Sequence, residues 1–335
     1  MLNIGTPDLT FFRGLQRSIS HLKNDLAVTS REAVTGRRED LTVATGGNIG
    51  NAHLLQKSLN DVTAGQQRLA LVEGRISLID GALEATRNIT NNIGVRSLSA
   101  LSIGDQIGFS AISREAEADL SEIFAVLRVR QGDRNLFSGD ATTATPLAPV
   151  ETLLADVQGI IASAANSSDA ITALDTYFND PAGGFETTIY QGGSNPVAQV
   201  ILPDGSKIGS ALRANDTSLK DVLRGLATFA ALENGPFSAA SSEYEVLYRN
   251  ASENSTRGEA ALIKVQADLG VASGQVTRSQ DRLSQERLVT TKAFEAIVGR
   301  DQYEAATRLS QIETQLQAAF AITARLSNLS LTNYL

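Results

Sequence analysis

The sequence contains no cysteine, no tryptophan and a single methionine, Met1. The absence of cysteine excludes a disulfide framework, an iron–sulfur cluster, a thiolate zinc site and a cysteine nucleophile, because each needs a sulfur atom. No window approaches the roughly 18 consecutive apolar residues of a membrane-spanning helix. The first residues lack a basic start followed by an apolar core, so no cleaved signal peptide is predicted.

Basic residues are fewer than acidic residues. The chain has 29 Lys and Arg against 37 Asp and Glu, which gives a formal net charge of −8. Proteins that bind nucleic acid cluster Lys and Arg to neutralise phosphates. We therefore predict no nucleic-acid partner and no insertion into a membrane.

Side chains that carry catalysis are sparse. His21 and His53 are the two histidines, and neither has an evident third ligand or nucleophile nearby. Glu115 and Asp119 are predicted to lie on the solvent side of a helix, where a carboxylate keeps its ordinary pKa. We therefore predict no catalytic residue, no metal and no cofactor, and we rank an enzyme as the least favoured class.

Proline is absent from two long stretches, 8–145 and 237–335. Because proline breaks helices, the chain reads as two helical arms that flank a proline-containing middle. The middle, 146–236, carries a net charge of −6, whereas each arm carries −1.

Apolar residues in the first arm recur at helical spacing. Thr6 is a plausible N-cap with Pro7 at the first helical position. The first apolar stripe consists of Leu9, Phe12, Leu15, Ile19, Leu22 and Leu26. Further stripes over 55–83 and 109–127 predict two more helices, with an irregular connector over 35–51.

The second arm repeats this pattern over 262–283 and 309–326, with spacings that alternate between three and four. Stripes at opposite ends of the sequence most simply pair with each other. The free energy gained by burying one apolar face of each terminal helix is little larger than the entropic cost of ordering these helices. We therefore expect these helices to become fully ordered on assembly with neighbouring chains.

The middle has mixed signals. Helices are predicted over 151–165 and 218–233, the latter starting with Ser218 and Asp221 in capping-box spacing. Segments 185–190 and 197–202 are rich in β-branched residues and predict strands.

The fold class predicted is therefore mainly α: an elongated, coiled-coil-like helical bundle formed by the N- and C-terminal arms, with a small inserted α+β domain. The domains predicted are a terminal helical assembly region, 1–45 with 300–335, a helical rod, 46–145 with 237–299, and the insert, 146–236.

The predicted functional surface is an assembly interface on the terminal helices. Chain ends have few covalent neighbours to cover their apolar stripes, so copies of the chain are the expected cover. The predicted interface residues are Leu15, Ile19, Leu22, Leu26, Leu309, Ile312, Leu316, Phe320, Leu326, Leu329 and Leu331.

The C-terminal residues resemble the ending of the bacterial flagellin family, and within it the proteins that join the flagellar hook to the filament. The matching residues there are Asp301, Ala305, Ala306, Thr307, Leu309, the QLQAA run at 315–319, Leu329, Ser330, Leu331, Tyr334 and Leu335. A second resemblance lies at Phe137, Ser138, Gly139 and Pro146, and a third at the IYQGG run, 189–193. After Gly36, Arg37 and Arg38 the chain has Glu39 and Asp40, where the family usually has a paired-aspartate motif.

The resemblance implies a structural role with no reaction. It implies export through the flagellar type III channel with the help of an export chaperone, without cleavage, and an extracellular location in the flagellum. The partners implied are copies of the chain itself, a hook-side junction protein and flagellin. Two alternatives stay open: a flagellin that forms the filament itself, and a cytosolic coiled-coil scaffold.

Overall fold

The chain folds mainly as helices, in a computed structural model that describes residues 7–44, 49–197, 200–201, 207–208 and 212–332. The predicted mainly α class is confirmed. The helices are α1 Pro7–Thr35, α2 Leu41–Ala44, α3 Ile49–Ile89, α4 Ile93–Ile103, α5 Gln106–Val126, α6 Val150–Ser163, α7 Ser167–Asn179, α8 Thr217–Leu232, α9 Ser242–Val298 and α10 Gln302–Thr332. The other elements are two antiparallel pairs, β1 Arg130–Gln131 with β2 Arg134–Asn135 and β3 Val200–Ile201 with β4 Lys207–Ile208, and a π-helical turn, Phe185–Ile189.

Internal contacts divide the chain into two compact units. The terminal unit is Met1–Ala64 with Leu283–Leu335, and the central unit is Gly65–Arg282. Helices α3 and α9 contribute residues to both units. The three predicted domains stay a prediction, and α6, α7 and α8 lie in the same unit as α5, against which α8 packs.

In the terminal unit, α1 packs along α10, so the predicted pairing of the two chain ends is confirmed. Helix α1 begins at Pro7, as predicted, while its predicted N-cap, Thr6, lies outside the described residues. Within the predicted connector, 35–51, the structure forms a single helical turn, α2, before α3 begins.

The core of the central unit surrounds α8, whose residues from Ser218 to Leu232 are all buried. Helices α5, α6 and α7 pack against it. Aromatic rings join α8 to α5 and α9: the centroids of Phe229 and Tyr248 lie 4.9 Å apart, and those of Phe109 and Tyr248 lie 4.7 Å apart. Such ring pairs add to the burial energy of the core.

Three charged residues of α8 are buried, and each forms an ion pair with a different neighbouring element. Lys220 Nζ lies 3.0 Å from Glu186 Oε1 on the π-helical turn, and Arg224 Nη1 lies 2.7 Å from Asp175 Oδ1 on α7. Asp221 accepts two hydrogen bonds from Arg257 of α9, each 2.9 Å long. Because a buried charge is costly without its partner, these pairs fix the rotation of α8 among its neighbours.

The structure corrects the prediction for the middle region at two points. Phe185–Ile189 is a π-helical turn instead of a strand, since Phe185, Ile189 and Tyr190 are all buried, and a strand would turn Ile189 and Tyr190 to opposite faces. Helix α8 is capped by Asp216, whose Oδ1 accepts a 3.0 Å hydrogen bond from the Ser218 amide, so the predicted capping box is wrong.

Besides the single turn α2, two longer helices were not predicted. Helix α4 follows α3 after a turn in which Asn92 has a φ of 57°, and it ends at Gly104 with a φ of 65°. Helix α7 is capped by Asn166, whose side chain accepts a hydrogen bond from the Asp169 amide. The prediction of three helices in the first arm is therefore wrong.

Removal of a partner from the buried arginine tests the ion pairs of α8. The Arg224 side chain is 4% exposed and that of Asp175 is 61% exposed. We expect Asp175→Ala to lower the free energy of unfolding by about 1–3 kcal/mol, because the guanidinium stays buried without its carboxylate. Asp268→Ala, at an exposed position of α9 in the same unit, is the control and should change it by less than about 0.5 kcal/mol. Equal effects in chemical denaturation would contradict this assignment.

Candidate assembly interface

The apolar stripe of α1 is covered incompletely. Leu15, Ile19, Leu22 and Leu26 are each half-buried, and among the α1 side chains that the structure describes, 13–35, Thr29 alone is buried. The α1 stripe therefore keeps part of its apolar surface in contact with solvent, although α10 packs along it.

The facing stripe of α10 is covered better. Ala305, Ile312, Leu316 and Ala319 are buried, and Leu309 is half-buried. Their spacings of three, four and seven put them on one face of the helix. Of the other predicted interface residues, the side chains of Leu326, Leu329 and Leu331 lie outside the part of the chain that the structure describes.

Two apolar side chains flank the α10 stripe. Phe320 is 46% exposed and Ile322 is 48% exposed. At 100° per residue, the two project on opposite sides of the line through Leu316 and Ala319. Lys23 of α1 lies 5.6 Å from the Phe320 ring centroid and covers one face of it. Phe320 was predicted because it lies at a chain end with few covalent neighbours to cover it, whereas Ile322 was not predicted.

Two short segments, 36–38 and 298–300, form an antiparallel pairing where α1 ends and α10 begins; we call this pairing the neck. The Arg38 amide donates to the Val298 carbonyl at 2.8 Å, and the Arg300 amide donates to the Gly36 carbonyl at 2.9 Å. Arg37 and Gly299 form an antiparallel bridge between these bonds. The two turns that join α1 to α2 and α9 to α10 are therefore tied at the same level.

Gly36 makes the first of these turns possible. Its φ is 64°, a left-handed conformation that costs other residues about 1–2 kcal/mol. The Gly36 amide donates to the Glu32 carbonyl at 2.9 Å and so closes the last turn of α1.

Charged side chains around the neck pair with one another. Arg31 Nε donates to Glu39 Oε2 at 2.6 Å, and this hydrogen bond raises the pKa of the arginine. Glu32 Oε1 accepts a 3.0 Å bond from the Glu39 amide, while its other oxygen lies 3.8 Å from Arg300 Nε. The Gly36–Asp40 segment thus works as a structural turn. A glycine followed by four charged residues was the only signal of it in the sequence.

A small apolar cluster supports the neck. Ala52, Phe294 and Val298 are buried and form its centre, and Arg37 lies 5.9 Å from the Phe294 ring centroid. The surrounding half-buried residues are Leu41, Leu55, Leu59 and Ile297.

Two segments of the central unit, 137–146 and 189–195, contain residues that resemble the flagellin family and are hydrogen-bonded to each other. The Gly193 amide donates a 2.8 Å hydrogen bond to the Ser138 carbonyl, and Asp140 accepts a 3.0 Å bond from the Asn195 side chain. Phe137 and Pro146 are buried, and the Gln191 amide donates to the Pro146 carbonyl at 3.0 Å. The 137–146 and 189–195 segments therefore form one structural motif. Tyr334 and Leu335, the other predicted motif residues, lie outside the described residues.

Gly139 lies close to the backbone of the 189–195 segment. Its φ is 58°, and a Cβ there would lie 3.0 Å from the Gly193 carbonyl oxygen. A side chain at this position would push the two segments apart.

Titratable groups do not gather into a reactive site in the part of the chain that is described. His21 and His53 are exposed on α1 and α3. No group of three or more His, Asp or Glu residues with the geometry of a metal site occurs among the described residues. Over the same residues, no helix combines the length and apolar character needed to span a membrane.

Asp119 departs from its predicted exposure. It is half-buried, and its Oδ2 has no hydrogen-bond partner among the described residues. Burial, with a smaller contribution from the Glu115 charge, raises the pKa of Asp119 from 3.8 to about 6. The prediction of a fully solvated carboxylate at this position is therefore wrong.

Two glycine substitutions test the neck. We expect Gly36→Ala to destabilise the terminal unit by about 1–2 kcal/mol, because alanine opposes the left-handed φ. Gly14→Ala is the control: Gly14 is an exposed helical position in α1 with no atom within 4 Å of a new Cβ, so alanine should stabilise α1 by about 0.5–1 kcal/mol. Amide hydrogen exchange in α1 measures both effects, and a change of the same sign in the two variants would contradict the role of Gly36.

The raised pKa of Asp119 predicts a pH-dependent stability. A carboxyl whose folded pKa is raised is destabilising once it ionises, so stability falls as pH rises from about 3.8 to about 6. Asp119→Asn should raise the free energy of unfolding at neutral pH by about 1 kcal/mol, after a discount for solvent screening, and the gain should vanish in acid. Glu117→Gln, at an exposed position of α5, should show no such pH dependence. A gain in Asp119→Asn that is equal at all pH values would count against the assignment.

Comparison with known proteins agrees with the C-terminal resemblance. Residues 258–335, which cover most of α9 and all of α10, match the family model for the bacterial flagellin C-terminal helical region. The predicted resemblance to flagellins is thus confirmed for this segment. No curated protein matches the chain. Among solved structures, the chain is similar to one titled "Crystal structure of Bacillus cereus FlgL", with 16% identity, a TM-score of 0.45, and coverage of 74% of this chain and 97% of that chain.

Proposed function

We propose that this chain, which has a flagellin C-terminal helical region, is a structural subunit of the bacterial flagellum that assembles through α1 and α10. The observation that carries the proposal is the incomplete cover of α1, where Leu15, Ile19, Leu22 and Leu26 are half-buried although α10 packs along the helix. No reaction is part of the proposed role.

The apolar surface left on α1 can contribute to assembly. Full burial of a leucine or isoleucine side chain contributes about 2 kcal/mol. These α1 residues are no more than about a third exposed, so each leaves less than about 0.7 kcal/mol to be gained. A neighbouring copy that covers the α1 stripe and the Phe320 and Ile322 flanks of α10 gains this energy at every subunit. Repeated along a symmetric assembly, such contacts add up over many subunits.

The finer role that we propose is the junction adaptor between hook and filament. The sequence likeness of the 137–146 and C-terminal segments to junction proteins supports it. The partners proposed are copies of the chain, a hook-side junction protein, flagellin and an export chaperone. The location proposed is the extracellular flagellum, reached by type III export without cleavage of a signal peptide.

Truncation tests the assembly role. We expect deletion of 316–335 to abolish incorporation into the flagellum, because it removes Leu316 and Ala319 from the buried stripe of α10. The central unit, which ends at residue 282, should keep its helical circular dichroism and cooperative unfolding. Retained motility in a strain that carries only the truncated chain would contradict the proposal.

Point variants test the buried stripe of α10 and its exposed flank in turn. Leu316→Ser removes a 7% exposed side chain, whereas its neighbour Gln317→Ser changes an exposed polar one, so only the first should block incorporation. Ile322→Ser should leave the thermal stability of the isolated chain unchanged and still weaken incorporation, because Ile322 is 48% exposed. Normal incorporation of Ile322→Ser would exclude that flank from the interface.

Electron microscopy of a deletion strain tests the finer role. Intact hooks, with filament subunits released into the medium, are expected for a missing junction adaptor. Loss of the filament subunit itself, or growth of long polymers from the purified chain alone, would instead identify the chain as a filament flagellin.

A further inference from the structure

Asn234 is followed by Gly235 in the turn between α8 and α9, and no other asparagine of the chain precedes a glycine. The Asn234 side chain is exposed, and it makes no hydrogen bond with any described residue. Glycine offers no Cβ to shield its own amide nitrogen from the preceding side chain. The pair therefore has the sequence and the exposure that favour spontaneous loss of the asparagine amide.

We propose that Asn234 is a site of non-enzymatic deamidation. The Gly235 backbone nitrogen loses its proton to solvent base and attacks Cγ of Asn234, so that a nitrogen–carbon bond forms and Nδ2 leaves as ammonia. Water then opens the resulting succinimide at either carbonyl and gives aspartate or isoaspartate at position 234. Water is the only co-reactant, and nothing is oxidised or reduced.

The local geometry leaves the reacting groups free to approach each other. The Gly235 amide makes one long hydrogen bond, 3.3 Å, to the Leu232 carbonyl, and the segment lies past the end of α8. Asn215 offers the contrasting case. It is half-buried, its Nδ2 donates to Glu186 Oε2 at 2.8 Å, and the amide of the following Asp216 is bonded to the Arg213 carbonyl at 3.0 Å.

The product places a new negative charge where the fold tolerates it poorly. Position 234 adjoins the C-terminal end of α8, where the helix dipole is negative. The neighbouring Glu233 is also negative; its Oε1 accepts a 2.9 Å bond from Ser110 Oγ and lies 3.8 Å from Arg114 Nε. Isoaspartate also lengthens the backbone between α8 and α9 by one carbon.

The test is prolonged incubation of the purified full-length chain at mildly alkaline pH, followed by tryptic mass spectrometry. Peptide 225–249 contains Asn234 as its one asparagine, and peptide 214–220 contains Asn215 as its one asparagine. We expect the first peptide to gain the mass difference between an amide and a carboxylic acid, and to split into two chromatographic forms, while the second stays unchanged. Absence of the shift in 225–249, or an equal shift in both peptides, would overturn the proposal.

Two variants make the mechanism specific. Gly235→Ala adds a Cβ 3.3 Å from the Ala231 carbonyl oxygen, a contact that the exposed turn can accommodate, and it should slow the conversion by shielding the attacking nitrogen. Asn234→Gln should block the conversion, because attack on a glutamine side chain would have to form a six-membered ring instead of the five-membered succinimide. Aged wild-type protein should melt about 1–3 °C lower than fresh protein, and aged Asn234→Gln should not. Conversion of Gly235→Ala at the wild-type rate would contradict attack by the Gly235 nitrogen.

Discussion

The terminal unit depends on one constraint: two helices from opposite ends of the sequence must cover each other along a single line. Helix α10 buries Ile312 and Leu316 there, whereas the apolar stripe of α1 stays partly exposed from Leu15 to Leu26 and ends at the buried Thr29. The neck holds the base of the pair through the Arg38–Val298 and Gly36–Arg300 backbone bonds. The pair is therefore well anchored at one end and incompletely covered along its length, which is the state expected of a surface that is completed by neighbours.

In the central unit, by contrast, the core helix α8 is completely buried by its neighbours. Every residue of α8 from Ser218 to Leu232 is buried, and its three buried charges are paired with α7, the π-helical turn and α9. Nothing in α8 needs a neighbouring chain to complete its burial. The chain thus combines a core helix that is completely buried within its own unit with a terminal helix, α1, whose apolar stripe is left partly open. This contrast underlies the assignment of assembly to the chain ends.

Periodicity alone predicted the long helices, because α1, α3, α9 and α10 repeat apolar residues over several turns. It missed α4 and α7, whose ends are defined by single turn and capping residues such as Asn92 and Asn166. It misread Phe185–Ile189 as a strand, since burial of Tyr190 beside Ile189 overrides β-branched propensity. The interface stripe was visible as spacing, but the neck and the 137–146 contact with 189–195 join residues far apart in sequence. Local patterns carry no information about such long-range pairing, nor about the partial burial of Asp119.

Amide hydrogen exchange across α1 and α10, compared between the isolated chain and its assembled form, tests the central claim most directly. Incomplete cover of α1 predicts weak protection of 13–35 and 305–330 in the isolated chain, strong protection of the same residues after assembly, and unchanged protection of α8. Strong protection of both terminal helices in the isolated chain would show that they are already complete, and it would contradict assembly through these surfaces.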